Sequence, residues 1–120
     1  MTNPNIVNVT EIYGNTAVQL ATTGAVNLVV NASGSGKIYK INSLYVSNYD
    51  GTNAADVTLT HFLSNTGNGT LLSTVSVAAD STLVIVTKDS SIYLKEDCQI
   101  NMASNINSAL SVTCSWDEIK

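Results

Sequence analysis

The stretch that decides the fold is GSGKIYKINSLYVSNYDGTNAADVTLT, residues 34–60. It opens with Gly-Ser-Gly-Lys, which has the residue types of a phosphate-binding loop. A P-loop requires the pattern G-x-x-x-x-G-K-[ST] between a strand and a helix. Here Lys37 is followed by Ile38, not by a hydroxyl residue, and the residues after it are strand formers. We therefore interpret the segment as a turn that enters a β-strand, and not as a nucleotide site.

The residues that follow this turn alternate between polar and apolar, which is typical of a strand with one buried face. Tyr39 and Ile41 have one parity, whereas Leu44 and Val46 have the other. This change of parity predicts a β-bulge or bend near residues 42–43.

The same alternation recurs along the chain. In residues 55–63 the predicted face holds Val57, Leu59, His61 and Leu63, and in residues 98–102 it holds Cys98, Ile100 and Met102. In residues 109–116 it holds Leu110, Val112, Cys114 and Trp116. The run TLVIV at 82–86 is apolar on both faces, which predicts a central, buried strand.

The whole pattern predicts an all-β fold, a β-sandwich or jelly-roll-like domain with little or no helix. We expect strands near residues 5–13, 16–22, 25–31, 37–48, 55–63, 70–78, 82–88, 91–95, 97–103 and 109–118. With 120 residues and one compositional texture, the chain is expected to form a single domain over residues 1–120. Its size allows roughly two-thirds of the unfolded surface to be buried.

Two hairpin registers follow from the turns. Folding about SNTGNGT at 64–70 is expected to pair Leu63 with Leu71, Leu59 with Val75, Val57 with Val77 and His61 with Ser73. Folding about SNINS at 104–108 is expected to pair Met102 with Leu110, Ile100 with Val112 and Cys98 with Cys114. Each register places apolar residues on one face, and a slip of one residue would bury Ser and Thr instead.

Composition excludes several functional classes. Charged residues are only 12% of the chain, the net charge is −4, and Arg is absent. Nucleic-acid binding requires a basic face, so we do not expect it. No apolar run is long enough to span a bilayer, and residues 1–10 lack the pattern of a signal peptide, so we expect no membrane association or export. Reduced cysteines in a cytoplasm are then the default expectation.

No pattern for catalysis or for a cofactor is recognisable. His61, the single histidine, is expected to be a core or edge residue that bonds a hydroxyl or backbone group. Ser73 opposite it lacks the context of an activated nucleophile. Cys98 and Cys114 are interpreted as buried thiols, with a cross-strand disulfide as the alternative. We expect no metal site, since one His and two distant Cys are too few ligands.

The carboxylates mostly lie at predicted turns, where turn chemistry explains them. A glycosidase pair leaves no signature in sequence and stays a minor alternative. Oxygens of Asp50, Asn53 and Asp56 offer a weak calcium alternative without EF-hand spacing. Tyr45 and Tyr49 share a parity and are a candidate aromatic face for sugar binding, unless another layer or subunit covers them.

Longer stretches carry a family resemblance. KIYKINSLYVSNYDGTNAADVTLT at 37–60, VSVAADSTLVIVTKDSSIYLKEDCQINMAS at 75–104 and LSVTCSWDEI at 110–119 resemble small virion structural proteins of tailed bacteriophages, many of them marine or cyanobacterial. The resemblance covers about residues 37–118 and lies in strand and turn motifs. It implies a component of the phage particle, assembled in the host cytoplasm, and it supplies no catalytic residues.

From this resemblance we expect a non-enzymatic capsid decoration or cement protein that bridges coat subunits as a symmetric homo-oligomer. Residues 1–10 are a candidate arm that adds to the sheet edge of a neighbour. The alternative is a tail, neck or fibre component that binds a receptor or carbohydrate. An enzyme ranks third.

Overall fold

The computed structural model describes residues 10–63 and 67–120. They form nine strands: β1 (Ile12–Leu20), β2 (Val26–Asn31), β3 (Ile38–Asn48), β4 (Ala55–Leu63), β5 (Gly67–Val77), β6 (Thr82–Val86), β7 (Ile92–Leu94), β8 (Cys98–Ser104) and β9 (Leu110–Ile119). A single turn of 3₁₀ helix, Lys88–Ser90, lies between β6 and β7. The predicted all-β class with little helix is confirmed.

The strands form two antiparallel sheets. Sheet A has the order β1-β9-β3-β6. The short strand β7 pairs with an earlier part of β3, Tyr39–Ile41, on the same side of β3 as β6. Sheet B has the order β2-β8-β4-β5. If β6 and β7 are taken as two parts of one interrupted strand, every connection except β4–β5 crosses from one sheet to the other. This is the topology of a jelly roll, in which two sheets close over one core.

The core lies between the sheets and is made by the faces that alternation predicted. Its members include Val57 and Leu59 of β4, Ile100 and Met102 of β8, and Leu110, Val112 and Cys114 of β9, all at most 1% exposed. Such alternation forces the intervening Ser and Thr residues outward, because successive side chains of a strand point to opposite faces.

The predicted bulge in β3 is confirmed. The pairing of β3 with β9 shifts between Ile41 and Ser43, and Ile41, Leu44 and Val46 are all fully buried. The extra residue returns the apolar side chains to the core after the change of parity. Tyr39, before the bulge, stacks on Trp116 with ring centroids 5.8 Å apart.

The N-terminal strands differ from the prediction. One strand, β1, spans residues 12–20 where two were expected at 5–13 and 16–22. Residues 1–9 lie outside the described part of the chain. Gly14, which falls between the two expected ranges, pairs with Asp117 inside a regular ladder.

The predicted register of the β4–β5 hairpin is wrong. Leu63 pairs with Gly67, Leu59 with Leu72 and Val57 with Val75. Two bulges insert extra residues into β5, and Thr74 adopts a left-handed φ of 50° there. Sequence alternation does not locate such insertions, because the adjacent Leu71 and Leu72 fit either parity.

The predicted C-terminal hairpin is also wrong. β8 and β9 lie in different sheets, so Cys98 and Cys114 do not pair across adjacent strands. The buried faces of both strands were assigned correctly. The apolar faces of two strands are buried equally well whether the strands are neighbours in one sheet or lie in two sheets that face each other across the core. Alternation alone therefore does not choose between these arrangements.

The run TLVIV was predicted to be central and buried, and this is wrong as well. It forms β6, which pairs only with β3 at the edge of sheet A, and Val84 is 57% exposed. Of its outward residues, Thr82 is polar, and the apolar Val84 is left largely uncovered by the residues that the structure describes.

Candidate functional site

The GSGK segment is a structural turn between β2 and β3. Gly34 and Gly36 have φ of 78° and 68°, which glycine adopts without strain. The buried Glu96 accepts the Gly34 N–H at 2.8 Å. The fully buried Asn31 donates to the carbonyl oxygens of Lys37 and Leu94, each at 3.0 Å. The backbone N–H of Gly34 is therefore bound by a carboxylate of the chain itself, within the turn between β2 and β3.

The loop after β3 is built in the same way. Asn48, 2% exposed, donates to the carbonyl oxygens of Asn53 and Val77, at 3.0 and 2.9 Å. Asp50 Oδ1 accepts the N–H groups of Thr52 and Asn53, at 2.8 and 3.3 Å. Hydrogen bonds from Thr52 first, and then from Asn53, lower the pKa of Asp50.

The structure thus uses Asp50 as a turn residue. Asp56, the third oxygen donor of the calcium alternative, lies in β4 with its N–H bonded to Asn105 Oδ1. Among the described residues, no three His, Cys, Asp or Glu side chains are grouped where they would hold a metal ion.

His61 lies opposite Gly69 of β5, not opposite Ser73 as predicted. Its ring covers the glycine so closely that a Cβ placed there would lie 2.5 Å from His61 Nε2. Its Nδ1 atom is buried and has no hydrogen-bond partner within residues 10–63 and 67–120, so the expected partner for this nitrogen is not found there.

Cys98 and Cys114 are both free and buried. Burial raises the pKa of the Cys114 thiol to about 12. A thiol with such a pKa stays protonated and unreactive at neutral pH. The interpretation of both residues as small apolar core residues is confirmed, and the disulfide alternative is not.

A polar cluster closes the sandwich near the end of β9. Glu118 accepts hydrogen bonds from Asn15 Nδ2 at 3.0 Å and Trp116 Nε1 at 3.3 Å, and it forms an ion pair with Lys37 Nζ at 2.9 Å. Burial alone would raise the pKa of Glu118, but these hydrogen bonds and the charge of Lys37 lower it. The cluster joins the edge strand β1 to the turn before β3, which is a structural role.

The tyrosines do not form one platform. Tyr45 is half-buried, whereas Tyr49 is 51% exposed at the end of β3. Tyr93 is also exposed, but its pairing partner on β3 is Lys40, which precedes Tyr49 by nine residues. At about 3.3 Å per residue, that places Tyr49 and Tyr93 roughly 30 Å apart along the strand.

The outer face of sheet A carries an uncharged stretch of surface. Three rows of register cross it: Thr16, Ser115 and Ser43; Val18, Thr113, Tyr45 and Val84; Leu20, Ser111, Ser47 and Thr82. We name these eleven residues the outer patch. None of them is charged, and Val18 and Val84 at its two sides are 64% and 57% exposed.

Hydroxyl groups within the outer patch bond one another. Thr16 Oγ1 and Ser115 Oγ lie 2.9 Å apart, and Ser47 Oγ and Thr82 Oγ1 lie 3.0 Å apart. The surface is therefore uncharged, and part of its hydroxyl groups are bonded to one another. Sequence reasoning noticed only Tyr45 in it, although the outward parity of Ser111, Thr113 and Ser115 was already visible. What could not be seen was that β1, β9, β3 and β6 are neighbours.

No helix in the described ranges is long and apolar enough to cross a bilayer. No protein-family model matches the chain. A search of curated proteins finds no match either.

Solved structures do share the fold. A protein of Bacillus endospore appendages, described as disulfide-linked pili, matches with a TM-score of 0.56 and 15% identity over 100% of this chain and 96% of that chain. A chain from the structure of infectious bursal disease virus, Gx strain, matches with a TM-score of 0.50 and 10% identity over 91% of this chain. The match spans about a third of that virus chain, 32%. At such low identity these similarities establish the jelly-roll fold alone.

Proposed function

We propose that the chain is a non-enzymatic structural protein of a bacteriophage particle, a decoration or cement protein that binds across neighbouring coat subunits. The observation that carries this proposal is the outer patch. Protein interfaces are depleted of charge at their centre. The outer patch carries no charged residue, and it has exposed apolar side chains, Val18 and Val84, at its two sides.

The mechanism is mechanical. The outer patch lies on four hydrogen-bonded strands backed by the core, so its shape is fixed before any partner binds. A preformed surface loses little conformational entropy on docking. Many copies on a lattice then add weak contacts through multivalency, so each contact need not be strong.

The fold agrees with this role, since a chain of a virus structure and a pilus-forming protein use the same fold. The partners in the proposal are the major capsid protein and further copies of this chain. Assembly takes place in the host cytoplasm, and the mature protein resides in the virion. No catalytic role, cofactor, nucleic acid or membrane enters the proposal.

The proposed N-terminal arm, residues 1–10, lies outside the described residues except for Thr10. The N–H and hydroxyl of Thr10 donate to the Lys120 carbonyl oxygen, at 2.7 and 3.0 Å, so Thr10 belongs to the sandwich. An arm would therefore comprise residues 1–9. Removal of these residues should weaken particle binding, and unchanged binding would remove the arm from the proposal.

A second candidate is a receptor- or carbohydrate-binding module of the tail, neck or fibre. The exposed rings of Tyr13, Tyr49 and Tyr93 favour it. Sugars stack on such rings when several line one site. The separation of Tyr49 from Tyr93 along β3 weakens this candidate, because rings so far apart cannot hold one small sugar.

The experiment is immunogold labelling of intact virions with an antibody to this chain. Dense labelling over the heads supports the decoration proposal. Labelling confined to the tail or neck favours the second candidate, which glycan arrays would then test. Absence of the chain from purified particles would reject both.

A further inference from the structure

Charge is distributed unevenly among the strands. Four charged residues lie within the nine strands: Lys40 in β3, Asp56 in β4, and Asp117 and Glu118 in β9. All four belong to strands with a neighbour on each side. The strands at the sheet edges, β1, β2, β5, β6 and β7, carry none.

This is the reverse of the usual arrangement. Proteins that remain monomeric protect their edges with lysines, prolines, bulges or very short strands, because an open edge pairs with other chains. β2, β5 and β6 each have a bulge in their pairing, and β6 has only five residues. β1 has nine residues, no proline, no charge and an uninterrupted ladder with β9.

The open side of β1 can be identified from its hydrogen bonds. Glu11 and Lys120 bond each other reciprocally, at 3.1 and 2.9 Å, and the Ala21 N–H donates to the Leu110 carbonyl at 3.0 Å. Hydrogen-bonded pairs alternate in an antiparallel ladder. The odd-numbered residues of β1 therefore bond β9, and the even-numbered ones direct their N–H and C=O groups to the open edge.

Of these outward groups, the Thr16 N–H donates to its neighbour Asn15 Oδ1 at 2.9 Å. Within the described residues no strand pairs with this side of β1. The side chains of Ile12, Val18 and Leu20 are 61%, 64% and 46% exposed beside it. The described residues thus hold β1 on one side only and leave most of its apolar surface uncovered.

We propose that β1 pairs antiparallel with β1 of a second copy, forming a two-fold dimer in which the two A sheets become one continuous sheet. A two-fold interface uses the same surface on both copies, so it needs only one unprotected edge, and β1 is the regular one. Pairing bonds the outward groups of β1, places the exposed side chains of Ile12, Val18 and Leu20 beside the seam between the copies, and joins two outer patches. The inference does not depend on where the protein resides in a particle.

The test is sedimentation equilibrium of the full chain over a dilution series. Val18→Pro removes an outward N–H and leaves the bonds to β9 intact, a position where edge strands accept proline. Because the two-fold axis repeats each contact, two intermolecular hydrogen bonds are lost per dimer, and the dimerisation constant should fall roughly thirtyfold. Val18→Lys, which places a charge on each facing strand, should weaken it as well. Val30→Lys on the edge strand β2 is the matched control and should dimerise like the wild type.

Circular dichroism of each variant establishes that it is folded, and Val18→Lys keeps the test decisive if the proline variant does not fold. A dimer in the wild type and in Val30→Lys that is lost in the folded Val18 variants supports the proposal. A wild-type monomer at all concentrations overturns it. Unchanged dimerisation of the Val18 variants also overturns it, because the contact must then use another surface. An open-ended polymer overturns it too, because it requires a different partner edge.

Discussion

Lys37 and Glu118 form an ion pair of 2.9 Å that links the turn before β3 to the last residues of β9. The same carboxylate receives hydrogen bonds from Asn15 and Trp116. Glu118 thereby holds three segments together: β1, β9 and the β2–β3 turn.

The stability of the fold should depend on pH through this pair. The pKa of Glu118 is lowered from 4.5, so its contribution is present above that pH and is lost as pH falls through the folded-state pKa. The Glu118 hydrogen bond raises the pKa of Lys37 above 10.5, so that contribution is present below 10.5 and is lost as pH rises through the folded-state value.

Glu118→Gln should lower the free energy of unfolding at neutral pH by about 1 kcal/mol, because hydrogen bonds to a charged acceptor are replaced by weaker ones. Urea unfolding of the variant should show a smaller loss of stability in acid than the wild type. Some loss should remain, because the pKa of Asp50 is also lowered in the folded protein. Asp89→Asn, at an exposed carboxylate, is the control and should change little. Equal acid sensitivity of Glu118→Gln and wild type would contradict this role.

The thiols should be unreactive in the folded protein. Because Cys98 and Cys114 lie on strands of opposite sheets and are buried, a thiol reagent such as DTNB should label neither at neutral pH. Labelling of both is expected after addition of denaturant. Intact mass under mild oxidants should show two free thiols per chain. An intramolecular disulfide in the native protein would be inconsistent with the arrangement of β8 and β9.

Gly69 should tolerate no side chain while His61 is present. A Cβ at Gly69 would lie 2.5 Å from His61 Nε2 and 2.7 Å from Cε1, so Gly69→Ala should destabilise the protein by about 1–3 kcal/mol. Adding His61→Ala should recover part of this loss in a double-mutant cycle. Gly51→Ala is the control, since a Cβ there meets its nearest atom at 3.7 Å. Additive effects at positions 61 and 69 would show that the ring is not the obstacle.

The outer patch should be needed for docking and not for folding. Val84→Lys adds a charge to an exposed side chain of β6, so the melting temperature should change little. Addition of the purified variant to particles prepared without this chain should give at least about tenfold weaker binding than wild type, because an unpaired charge is desolvated at the contact. Val30→Lys on sheet B is the matched control. Full binding by Val84→Lys would place the docking surface elsewhere.

The sequence predicted which side chains are buried better than which strands are neighbours. Alternation identified the core faces of β4, β8 and β9, and the parity change in β3 located its bulge. It failed for the C-terminal hairpin, because Cys98 and Cys114 satisfy their burial equally well in one sheet or two. Strand adjacency depends on contacts distant in the chain, which a local pattern does not encode.

The candidate site was least predictable for the same reason. The outer patch is assembled from β1, β9, β3 and β6, whose segments are separated by up to ninety residues of chain, between Leu20 and Ser111. Each segment shows only ordinary outward Ser and Thr residues. Of the residues considered for chemistry, Lys37 pairs with Glu118 and Asp50 accepts hydrogen bonds within its own turn. His61 lies against Gly69, and the hydrogen-bond partner predicted for it is not found among the described residues.

The most direct test of the central claim is the number of copies of this chain per particle, measured by quantitative mass spectrometry on purified heads separated from tails, relative to the major capsid protein. A protein docked across the coat lattice should be present in a fixed ratio comparable with the number of coat subunits. Absence from heads, or a few copies found only with the tail fraction, would contradict it.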